Sequence, residues 1–235
     1  MCELLVARAA QPFALADLWP VAARMERDGL AGYGWGAAWI AEDGDLRAYH
    51  SVEAFRRDPR AERLGPQRTT AALVHLRRPS RLSTHALPDT QPFVDPGGRF
   101  ALGHNGDFRD YRAAREAYVA QGRIRGRADS EVGARWLEDH WDAEPGAPAA
   151  AAAARLAALH VALGGQANLG LLQADGSALM YAGNTENPVF AFRLGGREMA
   201  ATGLYSLDRS FFRLAAPGAI DRRLVRLGRC AVLAA

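Results

Sequence analysis

The chain opens on MCELLVA, residues 1–7, in which a cysteine directly follows the initial methionine and an apolar run follows the cysteine. Residues 2–7 predict a buried first strand. Once Met1 is removed, the Cys2 thiol and a free α-amino group belong to the same residue. An α-amino group with a pKa of about 7.7–8.0 can accept the thiol proton near neutral pH, which produces a thiolate nucleophile. The competing interpretation is a buried, chemically inert cysteine in a first strand.

Length and composition indicate a globular protein. The chain has 235 residues, of which 49% are hydrophobic and 23% charged, so we expect residues 1–235 to form a single domain. Every basic residue is Arg; these are interspersed with Asp and Glu, and the formal net charge is +3, which does not indicate nucleic-acid binding. No segment reaches the roughly 18 apolar residues of a membrane span, and the first residues do not form a signal peptide. Two cysteines far apart predict no disulfide and a cytoplasmic location.

The pattern along the chain predicts strands, then helices, then strands. Helices are expected over 108–121 with Asp107 as N-cap, over 128–141 with Asp129 or Ser130 as N-cap, and over 145–165. Strands are expected at 2–7, 33–41, 46–50, 70–77, 99–108, 167–173, 178–184, 188–194, 197–203 and 223–234. This order predicts an α+β fold with mainly antiparallel sheets.

Two histidines and one long loop are the remaining features of the middle of the chain. His75 and His104 lie near strand ends, but neither has a companion at the spacing of metal ligands. We interpret both as structural residues that hydrogen-bond buried backbone, and we expect neither a metal nor a cofactor. Residues 78–98 are rich in Pro, Ser, Asp and Gly, and loops of this length are usually functional or disordered.

The stretch GHNGD, residues 103–107, places Asn105 and Gly106 at the end of an apolar strand. The Asn side-chain amide donates N–H groups, and glycine lets a backbone N–H approach a ligand closely. Together they can hold an oxyanion as a carbonyl carbon becomes tetrahedral. The competing interpretation is a tight turn, because Asn-Gly is a favoured turn dipeptide.

Two charged residues stand at the ends of predicted elements. Arg77 ends an otherwise apolar strand, where its guanidinium can pair with a carboxylate through two hydrogen bonds, unless it only extends from the strand end to solvent. Asp129 begins a helix, where it can face an ammonium group or act as a simple N-cap. Both interpretations stay open from the residues alone.

Taken in order, MCELL (1–5), YGWGAAW (33–39), HLRR (75–78), DTQPF (89–93), GHNG (103–106) and ADSE (128–131) resemble the motif series of the class II glutamine amidotransferases. In particular, they are similar to standalone amidotransferase-like proteins that begin Met-Cys-Glu-Leu-Leu and to the γ-glutamyl hydrolase of ergothioneine biosynthesis. The resemblance is strongest over residues 2–141. It implies an N-terminal-nucleophile hydrolase with a four-layer αββα fold.

The resemblance also implies a role for each candidate residue. Cys2 would be the nucleophile, with its own amine as general base. The Asn105 side chain and the Gly106 N–H would form the oxyanion hole. Arg77 would bind the α-carboxylate of the substrate, and Asp129 its α-ammonium group. The family often has Asn where this chain has Asp89, and the effect of that difference stays open.

The expected activity is hydrolysis of a γ-glutamyl amide, either glutamine or a γ-glutamylated small molecule, through a thioester on Cys2 that releases glutamate. Ammonia would pass to a separate synthetase subunit, or the chain would act alone and release an amine. Neither nucleic acid nor a membrane is an expected partner, and a homo-oligomer stays open. The alternative is a catalytically silent ligand-binding or scaffold protein on the same fold.

Overall fold

The computed structural model of the chain describes residues 2–141 and 149–234. Its strands form two sheets, and every strand pairing in them is antiparallel. The seven-stranded sheet has the order β11-β9-β10-β1-β4-β2-β3. Its strands are β1 (Glu3–Ala14), β2 (Trp35–Ile40), β3 (Leu46–Ser51), β4 (Arg68–Leu76), β9 (Val189–Leu194), β10 (Arg197–Thr202) and β11 (Ile220–Leu224).

The second sheet has five strands in the order β12-β8-β7-β6-β5. Its strands are β5 (Phe93–Val94), β6 (Phe100–Asp107), β7 (Gln166–Gln173), β8 (Ala178–Ala182) and β12 (Arg229–Leu233). The helices are α1 (Trp19–Asp28), α2 (Arg60–Leu64), α3 (Arg112–Ala120), α4 (Asp129–Asp139), α5 (Ala149–Leu163) and α6 (Ser210–Leu214).

Three hydrophobic cores show how the sheets and helices are layered. The side chains of Leu4 and Val6 pack between the two sheets, against residues such as Met180 of β8. The alternate residues of the same strand, such as Leu5, pack with α1 on the outer face of the seven-stranded sheet. A third core joins α4 and α5 to the outer face of the five-stranded sheet. The expected αββα arrangement is therefore confirmed, and MCELLVA is apolar on both faces because both faces of β1 are covered.

The helix N-caps expected from the sequence are wrong. Asp107 is the last residue of β6, and α3 begins five residues later, after Tyr111, without a side-chain cap. Asp129 is the first residue of α4 rather than its cap; the N-cap position is Ala128. The acidic side chains that suggested caps instead lie near the cavity described below, because the strand and helix ends converge there.

Three helices were not expected from the sequence, namely α1, α2 and α6. Helix α1 follows a short 3-10 turn and has Pro20 in its first turn, where proline is well tolerated. Its buried face, with Val21 and Met25, covers β1. The expected helix over 145–165 is present as α5 from Ala149, and its residues 145–148 lie outside the described part of the chain. No helix among the described residues is long and apolar enough to cross a membrane.

Candidate active site

Strand pairing brings the N-terminal cysteine to the end of β4. Because β1 and β4 are antiparallel with Glu3 opposite Leu76, Cys2 lies beside the residues that follow β4. The backbone N–H of Arg78 donates to Cys2 Sγ at 3.3 Å, and the Cys2 thiol donates to the Arg78 carbonyl oxygen at 3.4 Å. Burial has the largest effect and raises the pKa of the Cys2 thiol overall, although the Arg78 N–H and the positive charge of Arg77 act in the opposite direction. The half-buried thiol therefore sits beside two groups that favour its thiolate.

A cavity of about 430 Å³ opens in front of this thiol. It is lined by four of the five residues that the sequence singled out: Cys2, Arg77, Gly106 and Asp129. The fifth, Asn105, is fully buried. Its side-chain Nδ2 donates a hydrogen bond to the carbonyl oxygen of Cys2, so it lies directly beside the same residue. Residues separated by more than one hundred positions are thus brought together by β1, β4, β6 and α4.

Gly106 adopts a backbone conformation that requires glycine. Its φ is 149°, in the region that L side chains rarely adopt. A Cβ at this position would collide with the carbonyl oxygen of Gln166 on the neighbouring strand. The Asn105-Gly106 pair is therefore not a turn: both residues lie within β6 and pair with β7.

Arg77 follows the last residue of β4 and is buried, with 3% of its surface exposed. Its Nη2 donates to the carbonyl oxygen of Thr84, within the loop over 78–98. Its Nη1 is buried and has no hydrogen-bond partner among the described residues. Burial lowers the pKa of this guanidinium, while the nearby Cys2 and Asp89 raise it. Arg77 thus brings a positive charge to the cavity wall, and one of its buried N–H donors is unused.

Asp129 also lines the cavity and is the first residue of α4. Its Oδ2 accepts a hydrogen bond of 2.7 Å from the backbone N–H of Phe108, the residue after β6. The same oxygen lies 3.9 Å from Nδ1 of His104, and 18% of the Asp129 side chain remains exposed. The carboxylate is therefore held in place by one bond and keeps acceptor capacity toward the cavity.

His104 also lines the cavity, but its ring is held by protein groups. Nδ1 lies 2.9 Å from Oγ of Ser130, and Nε2 lies 3.3 Å from the carbonyl oxygen of Gln166. The ring stacks on Phe108 at 4.1 Å between centroids, and burial lowers the pKa of the imidazole. The contact with the Gln166 backbone agrees with the structural role that we expected for this residue.

The loop over 78–98 is anchored by the DTQPF stretch. Oδ1 of Asp89 accepts hydrogen bonds from the backbone N–H groups of Arg127 and Ala128, just before α4. The side-chain oxygen of Gln91 accepts a bond of 2.5 Å from the backbone N–H of His104. At this contact Asp89 supplies one acceptor oxygen, which an Asn side chain also has, so either Asp or Asn can fill the position.

A buried polar network behind Cys2 was not recognised from the sequence. It joins Asn105 to Glu3, Asn168, Asn187, Thr202 and Tyr205. One signal was available: Glu3 and Asn168 each interrupt an apolar strand, and a buried polar residue needs partners. The partners themselves come from four segments far apart in the chain, which no local pattern connects.

Another cavity, of about 580 Å³, lies elsewhere. Its wall includes His50, Pro92, Arg135 and Glu138, and none of the five candidate residues. Among the described residues, no group of three or more acidic, histidine or cysteine side chains is placed to hold a metal ion. Both cysteines are free, and Cys230 is half-buried in β12.

The family model described as "Glutamine amidotransferases class-II" matches residues 1–193. The chain belongs to the class II glutamine amidotransferases. This match covers every motif on which the resemblance was based, from MCELL to ADSE. No curated protein sequence matches the chain.

Solved structures of this family share the fold. A glutamine phosphoribosylpyrophosphate amidotransferase from B. subtilis superposes with a TM-score of 0.73 at 16% identity, covering 98% of this chain and 47% of that one. A class II glutamine aminotransferase domain protein from Silicibacter pomeroyi gives a TM-score of 0.60 at 17% identity, covering 97% and 93%. This chain therefore spans about half the length of the phosphoribosylpyrophosphate amidotransferase, and at these identities the likeness establishes the N-terminal-nucleophile hydrolase fold alone.

Proposed function

We propose that the chain hydrolyses a γ-glutamyl amide with Cys2 as the N-terminal nucleophile. The observation that carries the proposal is the 430 Å³ cavity, whose wall combines the Cys2 thiol, the Arg77 guanidinium and the Asp129 carboxylate. A γ-glutamyl group has an α-carboxylate and an α-ammonium at one end and a carbonyl at the other. The unused Nη1 donor of Arg77 suits the carboxylate, and the exposed part of Asp129 suits the ammonium.

The proposed reaction begins once Met1 has been removed. The free α-amine of Cys2 takes the thiol proton, and the thiolate attacks the γ-carbonyl carbon to form a C–S bond. The oxyanion accepts hydrogen bonds from the Gly106 N–H and from Asn105 Nδ2. Because both Nδ2 hydrogens are already engaged, with the Cys2 carbonyl and the Tyr205 hydroxyl, the oxyanion replaces the Tyr205 oxygen as acceptor.

The second half of the reaction releases both products. The C–N bond breaks, and the protonated α-amine returns its proton to the leaving nitrogen, so that ammonia or an amine departs. Water, deprotonated by the same amine, then attacks the thioester carbonyl and breaks the C–S bond. Glutamate leaves, and the thiol regains its proton. No cofactor is needed to balance these steps.

Intact mass spectrometry combined with a glutamine-analogue label tests the proposal. The purified protein should lack the mass of Met1 and gain one adduct with diazo-oxo-norleucine, and the adduct should map to Cys2. Cys2→Ala should lose both the adduct and γ-glutamyl hydrolysis, at least about 10³-fold in kcat. Cys230→Ala is the matched control, because it removes the other free cysteine from β12, and it should keep both.

A processed chain that takes no label and hydrolyses no γ-glutamyl compound would contradict the proposal and favour a catalytically silent binding protein. The same assay separates two uses of the activity. A chain that hydrolyses one γ-glutamyl compound by itself acts alone, whereas weak activity that rises on adding a synthetase subunit indicates transfer of ammonia. We further propose that residues 1–235 form one amidotransferase domain and that the free cysteines reflect a cytoplasmic location.

A further inference from the structure

We propose that Glu3, the residue after the nucleophile, is a positioning residue that fixes the orientation of the Asn105 amide through Asn187. This inference rests on the proposed function, in which Asn105 donates to the oxyanion. It follows from the hydrogen bonds of the buried network, taken one amide at a time.

The Asn105 amide is held by four hydrogen bonds. Its Oδ1 accepts from Nδ2 of Asn168 at 2.9 Å and from Nδ2 of Asn187 at 3.3 Å. Its Nδ2 donates to the carbonyl oxygen of Cys2 and to the Tyr205 hydroxyl. A primary amide has two donor hydrogens and two acceptor lone pairs, so this set is complete. Because two N–H donors face Oδ1, the N–H side of Asn105 must face Cys2.

The donors that face Oδ1 are themselves held in one orientation. Asn187 Oδ1 accepts the backbone N–H of Tyr205 at 2.9 Å, so its Nδ2 must be the group that faces Asn105. One Nδ2 hydrogen then goes to Asn105, and the other goes to Oε2 of Glu3 at 3.2 Å. Without an acceptor at Glu3, this second hydrogen would be buried and unpaired, and a rotated Asn187 would present its oxygen to the oxygen of Asn105.

Glu3 is anchored independently of the asparagines. The Thr202 hydroxyl accepts the backbone N–H of Leu4 at 3.0 Å, so its own hydrogen is free to go to Oε2 of Glu3. The Glu3 side chain is fully buried, and its other oxygen, Oε1, has no hydrogen-bond partner among the described residues. Oε2 therefore accepts two donors from fixed directions, and one of them is the amide that orients Asn105.

Two titratable groups, Cys2 and Tyr205, lie close enough to Glu3 to be affected by its charge. The charge of Glu3 acts on the Cys2 thiol and on the Tyr205 hydroxyl, and raises the pKa of each. Burial raises the pKa of Glu3 itself to about 7. Burying an ionisable acid beside the nucleophile costs free energy, which an apolar residue filling the same space would avoid. A requirement for its acceptor oxygen accounts for its presence there.

Two substitutions separate positioning from stability. Glu3→Leu removes the acceptor, whereas Glu3→Gln keeps a side-chain oxygen for Asn187 and Thr202. Glu3→Leu should lower kcat for a γ-glutamyl anilide about tenfold with little change in KM, because the oxyanion donor is misplaced rather than lost. Glu3→Gln should recover most of that kcat. Equal loss of kcat in the two variants would overturn the inference.

The matched control is Glu26, a second buried carboxylate, which accepts hydrogen bonds from the backbone N–H groups of Phe55 and Arg56 and pairs with the Arg56 guanidinium. Glu26→Leu should lower stability without changing kcat. A double-mutant cycle then tests the route: in an Asn105→Ala background, Glu3→Leu should cause no further loss of kcat. A further tenfold loss there would mean that Glu3 acts by another route. If Glu3→Leu does not fold, Asn187→Ala tests the same link from its other end.

A measurement that needs no activity keeps this inference separate from the proposed function. In ¹⁵N-labelled protein, the Asn105 side-chain amide pair is assigned by its disappearance in Asn105→Ala. The pair should shift and exchange faster in Glu3→Leu, but not in Glu26→Leu. An unchanged pair in Glu3→Leu would overturn the positioning role. A wild-type chain without hydrolysis but with the expected amide shift would overturn only the proposed function.

Discussion

The wall of the cavity and the buried network behind it differ in how their polar groups are satisfied. On the wall, Arg77 and Asp129 are each held by a single side-chain bond and keep hydrogen-bonding capacity that the protein does not use. In the network, Asn105 uses all its donors and acceptors. Capacity left over suits the binding of a substrate that arrives with its own charges. A saturated network suits a group whose direction must be fixed before the substrate arrives.

Among the tests of this contrast, Asn105→Ala should have the largest effect. The variant removes one oxyanion donor, so kcat should fall by about 10²–10³-fold while KM changes little. Steady-state kinetics on a γ-glutamyl anilide measure both constants, and urea unfolding checks that the variant is folded. A rise in KM at constant kcat would mean that Asn105 binds the substrate as Arg77 and Asp129 are proposed to do. It would contradict the distinction between the cavity wall and the buried network.

The pH dependence of stability examines the buried network alone. Burial raises the pKa of Glu3 from 4.5 to about 7, so between these values the folded chain holds a proton that the unfolded chain has released. The contribution of Glu3 to stability is therefore fully present below pH 4.5 and is lost as pH rises through 7. Compared with Glu3→Gln, the wild type should lose roughly 2–3 kcal/mol of unfolding free energy between pH 5 and pH 8.

Urea unfolding at both pH values, on wild type and Glu3→Gln, gives this difference directly. Because the variant lacks only this titration, other groups cancel in the comparison. Parallel curves for the two proteins would mean that Glu3 keeps an ordinary pKa. In that case water solvates the Glu3 carboxylate more than the structure shows.

The wall of the cavity is tested by Arg77→Lys. Lysine keeps the charge but cannot present the planar pair of N–H donors, so a carboxylate loses one charge-assisted hydrogen bond. We expect kcat/KM to fall about 10–100-fold, mainly through KM. Arg47→Lys is the control, since Arg47 pairs with Asp43 on the exposed hairpin, and it should change neither constant. A fall in kcat alone would contradict a binding role for Arg77.

The same contrast explains what the sequence allowed us to predict. The α+β fold with mainly antiparallel sheets was predictable from the order of strands and helices, and the four-layer αββα arrangement was implied by the family resemblance. Cys2, Arg77 and Asp129 stood out as polar residues at element ends. The network was not predictable, because Asn187 and Tyr205 lie outside the strands, just before β9 and just after β10, and reach Asn105 only through the tertiary fold. The expected N-caps failed for a related reason: acidic residues before a helix satisfy a local rule, but Asp129 is used across the fold by Phe108.

The smallest expected effect is that of Asp89→Asn, where the family often has Asn. The side-chain oxygen that accepts from Arg127 and Ala128 is kept, so unfolding free energy should change by less than about 1 kcal/mol, whereas Asp89→Ala should cost about 1–3 kcal/mol. The negative charge of Asp89 also acts on Arg77. Its removal leaves the guanidinium less neutralised, so KM should fall by up to about twofold at constant kcat. A rise in KM would instead show that Asp89 shapes the cavity through the loop that it anchors.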